Sequence, residues 1–215
     1  MESELLLKLS KKSLTKEALL QKVRENPSLI PEVLNGVSSS KAAVRYGCAK
    51  VLMDLSEEQP ARLYPYMDSF TALLDSKYRI LVWNAMAIIA NLVRVDREKK
   101  FDKLFDKYYG FLNDPYMVTV ANVVGNSCKI ALAKPYLVQK IAIELLKVEK
   151  LSTTPHLTAE CKRVITEKAI EYFDVFFDRI EAKDEVVSFV KRNKNSPRKS
   201  LKEQAENFLK KWQAC

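Results

Sequence analysis

The sequence predicts an all-α chain of stacked helix pairs, and three observations carry that reading. Glycine is rare, four in 215 residues, with eight prolines, and Leu, Ala, Lys, Glu and Ile fill long stretches, a composition that favours helices over closely spaced turns. In residues 75–94, DSKYRILVWNAMAIIANLVR, the apolar residues Leu81, Ala85, Ile88, Ile89 and Leu92 fall on one face of a 3.6-residue period. The stripe then returns elsewhere. A step back of 37 residues lands on Val44, Cys48, Val51, Leu52 and Leu55, and a step forward of 39, taken from Asp75 to Asp114, lands on Val120, Val124, Ser127, Cys128 and Ala131.

Residues 1–26 form an amphipathic cap, with Leu5, Leu6 and Leu9 and then Leu19, Leu20 and Val23, broken near residues 10–13 and ended by Asn26-Pro27. The first helix pair follows, with Leu29, Ile30, Val33, Leu34 and Val37 as the apolar face of its first helix and a Ser-rich turn at residues 38–40 leading into residues 44–55. The second begins near Pro60, carries Leu63, Met67, Phe70 and Leu74, and uses Asp75 as the expected cap of its second helix. The third uses Phe101, Leu104, Phe105, Tyr108 and Leu112, then Asp114 as cap with Pro115 at the first helical position, then residues 118–131. A fourth starts at Pro135 with Ile141, Leu145 and Leu146. After a longer connection, KLSTTPH, its second helix runs from about residue 158 to 180 and is rich in aromatics: Phe173, Phe176 and Phe177. Asp184 and Ser196-Pro197 are the expected starts of two final helices, a basic cap over residues 183–215.

The segments VRYGCAKVLMDL, ILVWNAMAIIANL and VTVANVVGNSCKIA resemble the second helices of HEAT or armadillo-type repeats, with Val44-Arg45 matching the family's Val-Arg pair most closely. Over residues 27–180 the resemblance implies a right-handed α-α superhelix of about four to five helix pairs, the chain forming a single solenoid domain. It also implies a curved stack whose second helices line a concave face that binds proteins and sometimes nucleic acid. On that geometry, the positions opposite each core stripe face the groove: Tyr46, Lys50 and Met53; Trp83, Ala87, Ala90 and Arg94; Asn122, Asn126 and Lys129. Tyr46, Trp83 and Asn122 form the expected rung, with Trp83 as an anchor because Trp, Tyr and Arg are enriched at binding hot spots. The alternative is that Trp83 packs against the neighbouring unit.

The formal net charge is +9, the first criterion for a nucleic-acid binder. Residues 183–215 hold nine Lys or Arg against four acids, and Lys191, Arg192, Lys194, Arg198, Lys199 and Lys202 are the candidate phosphate contacts. No aromatics interleave with them, which stacking on single strands requires. Glu171, Asp174, Asp178 and Glu181 share one helix face, a solvated stripe or a partner for the basic tail rather than a metal site.

Cys48, Cys128, Cys161 and Cys215 lack metal-ligand or redox spacing, and Cys48 and Cys128 sit at core positions, which fits a reducing compartment. The lone histidine, His156, has no Ser or Cys partner placed beside it by the sequence, and Gly36, Gly47, Gly110 and Gly125 are isolated, so neither a catalytic set nor a phosphate loop is predicted. The longest apolar run, residues 80–93, is interrupted by Asn84 and Asn91 and falls short of the roughly 20 residues of a membrane span. With no secretory signal pattern at the N-terminus, a cytoplasmic protein is expected.

The functional expectation is a non-enzymatic scaffold, without cofactor or metal, that binds a protein or peptide on its concave face. The second reading is a nucleic-acid binder, in its sharpest form similar in size and charge to HEAT-like alkylpurine DNA glycosylases. Those need a groove carboxylate beside aromatics. Here the ladder offers Tyr46 and Trp83 with Asp54 only at its edge, so no catalytic residue is assigned.

Overall fold

Three of the first helices begin where a proline stops the helix before it. Asn26, Gln59 and Lys134 each precede a proline, whose ring bars the preceding residue from helical backbone angles. All three take φ near −130° (−128°, −133° and −130°) while still donating their N–H to the carbonyl four residues back. The computed structural model, which describes residues 3–213, is thereby punctuated at the points the prolines mark.

The helices run, in chain order, α1 (Glu4–Ser10), α2 (Lys16–Glu25), α3 (Ile30–Gly36), α4 (Ala42–Glu58), α5 (Pro60–Leu63), α6 (Met67–Leu73) and α7 (Arg79–Leu92). They continue as α8 (Lys100–Gly110), α9 (Met117–Ala133), α10 (Val138–Leu146), α11 (Ala159–Phe176), α12 (Lys183–Asn193) and α13 (Lys199–Lys211), with short 3-10 turns between. Among the described residues the only extended pairing is one isolated bridge, Thr154 to Leu157, in the long connection before α11.

Where the proline is missing, before α8, a buried carboxylate takes over. Asp96 is 8% exposed; its Oδ1 accepts from Lys100 N (2.8 Å) and its Oδ2 from Phe101 N (3.0 Å), capping the helix. Tyr64, from the turn between α5 and α6, donates its hydroxyl to the same carboxylate at 2.7 Å.

The turns into the second helices also share one device. The hydroxyl of Ser39 accepts from Lys41 N (3.2 Å), that of Ser76 from Tyr78 N (3.2 Å), and Asp114 Oδ1 from Tyr116 N (2.9 Å). Lys41, Tyr78 and Tyr116 are then extended N-caps, 37 and 38 residues apart. Four expected caps move. Asp75 lies upstream of the turn that Ser76 closes, and α7 begins after Tyr78; Asp114-Pro115 precedes α9 by a residue, because Asp114 turns the chain rather than capping it. Likewise Ser196 accepts from Arg198 N (3.3 Å) and α13 starts only at Lys199, while Asp184 sits in the first turn of α12 instead of at its cap, Ala182.

The chain divides into two compact units, Met1–Lys103 and Leu104–Cys215. In the first, α4 packs between α2 and α7 over fully buried Leu19, Val23, Val44, Leu52, Leu55 and Ile89. Each such side chain contributes roughly 1.5–3 kcal/mol through burial. In the second, α11 packs between α9 and α13, and its aromatics close the core as the sequence predicts: Phe173 meets Phe189 edge-on (5.5 Å), and Phe177 meets Phe208 (5.1 Å). Buried hydroxyls are satisfied there, with Tyr172 donating to Val138 O (2.8 Å) and Tyr109 bonded to Ser127 (3.1 Å). Among the described residues, no helix is long and apolar enough to cross a membrane.

Candidate functional site

Exposed aliphatic side chains stand on three of the second helices, α7, α9 and α11, although on α7 the stripe closes at Asn91, 4% exposed. On α7 the stripe begins with Ile80, 43% exposed; on α9 it runs through Val118 (44%), Asn122, Gly125, Lys129 and Leu132 (65%). On α11 it runs through Glu160, Val164, Glu167, Glu171 and Val175, the last 60% exposed. The spacing of about 3.6 residues puts each set on one face. The sequence reading missed these aliphatics because they look like core residues; only their phase against the buried stripe distinguishes them.

The expected binding residues of the first unit divide into exposed and engaged. Tyr46 is half-buried and meets Tyr78 edge-on at 6.4 Å, with the Arg45 guanidinium 4.7 Å from the Tyr46 ring and 3.8 Å from the Tyr78 ring. Arg45 is itself buried, and its Nη1 donates to the carbonyls of Ser39 (2.8 Å) and Ser40 (3.2 Å). Arg45 is thus a wedge holding two successive second-helix starts together. Lys50 is exposed and pairs with Asp54 one turn on; Met53, Trp83 and Ala87 are half-buried. Ala90, expected in the groove, is fully buried. Arg94 is exposed but bonds the Glu57 carbonyl at the end of α4 and Asn91 O (3.3 Å), closing orphan helix-end acceptors.

In the second unit, Asn122 donates to Val118 O of its own helix (2.8 Å), Asn126 to the buried Tyr108 hydroxyl of α8 (3.3 Å), and Lys129 is exposed. Counting from the helix starts, the position matching Tyr46 and Trp83 is Ala121, not Asn122; Asn122 corresponds to Asn84 and Gly47. The expected rung was displaced by one residue.

The basic residues of 183–215 are spread among carboxylates instead of gathered. Arg192 forks onto Glu149, and Arg198 donates to Glu167 (2.8 Å) and Glu160 (2.6 Å), which strengthen its protonation while lowering that of Glu160. Lys199 and Lys202 each face a glutamate one turn on, Glu203 and Glu206, at 3.7 and 3.9 Å. Lys191 and Lys194 are exposed. The acidic stripe does meet the basic tail: Asp174 accepts from Lys211 (3.0 Å) and from Trp212 Nε1 (2.8 Å).

Burial pushes the Cys48 thiol up to about 12 and that of half-buried Cys128 to about 11, so neither is primed as a nucleophile. Cys128 is less enclosed than its core position predicts; Cys215 lies outside the described residues. His156 stacks flat on Tyr116 (4.3 Å) while Cys161 Sγ takes a bond from Thr158 (3.2 Å). Among the described residues no group of His, Cys, Asp and Glu has the arrangement of a metal site.

Helix pairs of this length, ordered in two units around their second helices, define an all-α solenoid of the armadillo/HEAT repeat type. Among solved structures, the chain is similar to the designed armadillo repeat protein YIII(Dq)4CqI, with a TM-score of 0.64 and 19% identity over 95% of this chain and 90% of that one. It is also similar to the designed armadillo repeat protein YIII(Dq.V1)4CPAF in complex with peptide (KR)4, with a TM-score of 0.62, 16% identity and the same coverage. No protein-family model and no curated protein matches the sequence.

Proposed function

We propose that the chain is a non-enzymatic repeat scaffold that holds a protein or peptide against the open stripes of its second helices. The observation that carries this reading is the placement of Ile80, Val118, Leu132 and Val175, exposed aliphatics that no internal packing explains, on those stripes. Tyr46 and Trp83, half-buried on α4 and α7, add aromatic surface of the kind that dominates binding energy. Lys50, Met53, Ala87, Arg94, Asn122, Asn126 and Lys129 complete the candidate contacts. A structurally similar designed protein is in complex with a peptide, which supports the same use of this architecture.

The test is selection of random dodecapeptides on the immobilised chain, followed by fluorescence anisotropy of the enriched sequences. Binding weakened about ten-fold or more by Trp83→Ala or by Leu132→Glu, in variants that still melt cooperatively above the assay temperature, is the expected result. Enriched peptides that ignore both substitutions, or no enrichment at all, sink the proposal.

A further inference from the structure

Where α4 starts, the first unit contains a cavity of about 510 Å³ between the turn that joins α1 to α2 and the first turns of α4, and Tyr46 belongs both to its wall and to the candidate surface above. Its walls are Leu9, Leu14, Ala42, Ala43, Tyr46 and Gly47, and its rim is Lys12, Lys16 and Glu17. The volume is that of a small-ligand or side-chain pocket. The small residues are what leave it open: a Cβ at Gly47 would stand 3.1 Å from the Leu9 side chain, on the cavity wall.

Charge on the rim is basic in excess. Lys12 and Lys16 are exposed there, and the one acid, Glu17, is engaged by its own backbone N–H and by Thr15, at the start of α2. The starts of two helices abut the cavity, and α4, 17 residues long, has no side-chain cap at Lys41, so the positive end of its peptide dipoles faces the rim. Lys12 is carried there on a left-handed backbone (φ 58°), which turns the chain sharply between α1 and α2.

We infer that this cavity is the docking site for a peptide segment in which an aliphatic side chain is flanked by carboxylates. The aliphatic group fills the space between Leu9, Leu14 and Ala43, and the carboxylates meet Lys12, Lys16 and the start of α4. The inference rests on the peptide-binding reading above and deepens it, adding the class of ligand and the cavity at the start of α4 that takes it.

The probes are fluorescein-labelled octapeptides, alternating Asp with Leu, Asp with Ser, and Lys with Leu, titrated with the full chain at near-physiological salt. The Asp–Leu peptide is expected to bind at least about ten-fold more tightly than either control, since only it supplies both the apolar and the charge contribution. Lys12→Glu with Lys16→Glu should weaken it at least about ten-fold through charge, and Ala43→Trp should do the same by filling the cavity, while Ile143→Ala, at an exposed position of α10 away from both surfaces, leaves it unchanged. Both variants alter exposed positions, and their melting temperatures are measured alongside. Equal binding of the Asp–Ser or Lys–Leu peptide overturns the inference, as does indifference to both variants. Loss through Trp83→Ala alone places the ligand on the second-helix stripe: the scaffold reading then stands and this site falls. Self-association abolished by the lysine reversals also overturns it, by giving the cavity to a second copy.

Discussion

At the scale of single residues, two buried charges hold the first unit together. Asp96 replaces a proline, accepting two helix-end amides and the Tyr64 hydroxyl. Asp96→Ala would leave all three donors without their acceptor and should cost about 2–4 kcal/mol in chemical denaturation, whereas Tyr64→Phe removes the bond to Asp96 and the longer one accepted from Glu98 N (3.3 Å) and should cost about 1–2 kcal/mol. Partial burial, together with the bond to Asp96, pushes the Tyr64 hydroxyl up to about 12. Its folded value lies above its unfolded one, so the wild-type advantage over Tyr64→Phe is fully present below about pH 10 and is lost as the pH rises through about 12. Melting temperatures of the pair measured from pH 8 to 12 check this. Arg45 is the other. Its planar head fits between two rings and two carbonyls, although its buried Nε has no hydrogen-bond partner. Arg45→Lys keeps the charge but not the plane, so it should lose most of what Arg45→Ala loses, about 2–3 kcal/mol; full rescue by lysine would show that charge alone matters.

At the scale of elements, glycines on two helices test opposite effects. A Cβ at Gly36, in α3, would lie 2.5 Å from Cys48 Sγ and 2.9 Å from the Leu6 side chain, whereas at exposed Gly125, in α9, nothing lies within 4 Å. Gly125→Ala should therefore stabilise by about 0.5–1 kcal/mol through helix propensity, and Gly36→Ala should destabilise by about 1–3 kcal/mol through overpacking. Thermal melts of both variants decide it. Helices were the legible part of this sequence: the 3.6-residue stripes through Leu81–Leu92 and Val44–Leu55 are buried as read, and so are the aromatics of α11. Helix starts were less legible, because Asp and Ser serve both as N-caps and as turn residues two positions before one. Taking Asp75 as equivalent to Asp114 gave a step of 39, but the true equivalent is Ser76, and that one residue moved Asn122 into the place of Ala121. The candidate site suffered most from this, since a single-residue shift turns a side chain by 100°. Ile80, Val118, Leu132 and Val175 were invisible for a related reason: an exposed aliphatic and a buried one are spelled alike, and only the packing of neighbouring helices separates them.

At the scale of the whole molecule, the question is what a net charge of +9 does. Concentration near the C-terminus would suit nucleic acid, but the units share the excess: 17 basic against 13 acidic residues up to Lys103, and 19 against 14 beyond it. Within the second unit the guanidinium groups of Arg192 and Arg198 are committed to Glu149, Glu160 and Glu167, so phosphates would have to break charge-assisted bonds already formed. Phosphate binding earns affinity by releasing counterions from the polyanion, and lysines tied into pairs such as Lys211 with Asp174 take part in that exchange only after losing an intramolecular partner. Fluorescence anisotropy with a labelled duplex should accordingly show weak binding at roughly 20 mM salt and none at roughly 150 mM, a range over which a protein with many phosphate contacts still retains measurable affinity. Arg198→Ala, which frees two glutamates at one of these pairs, should weaken even the low-salt binding by making the face more acidic. Micromolar binding that survives the higher salt, with a steep log–log dependence, would instead show that the carboxylates yield to phosphate and that the tail is a nucleic-acid surface.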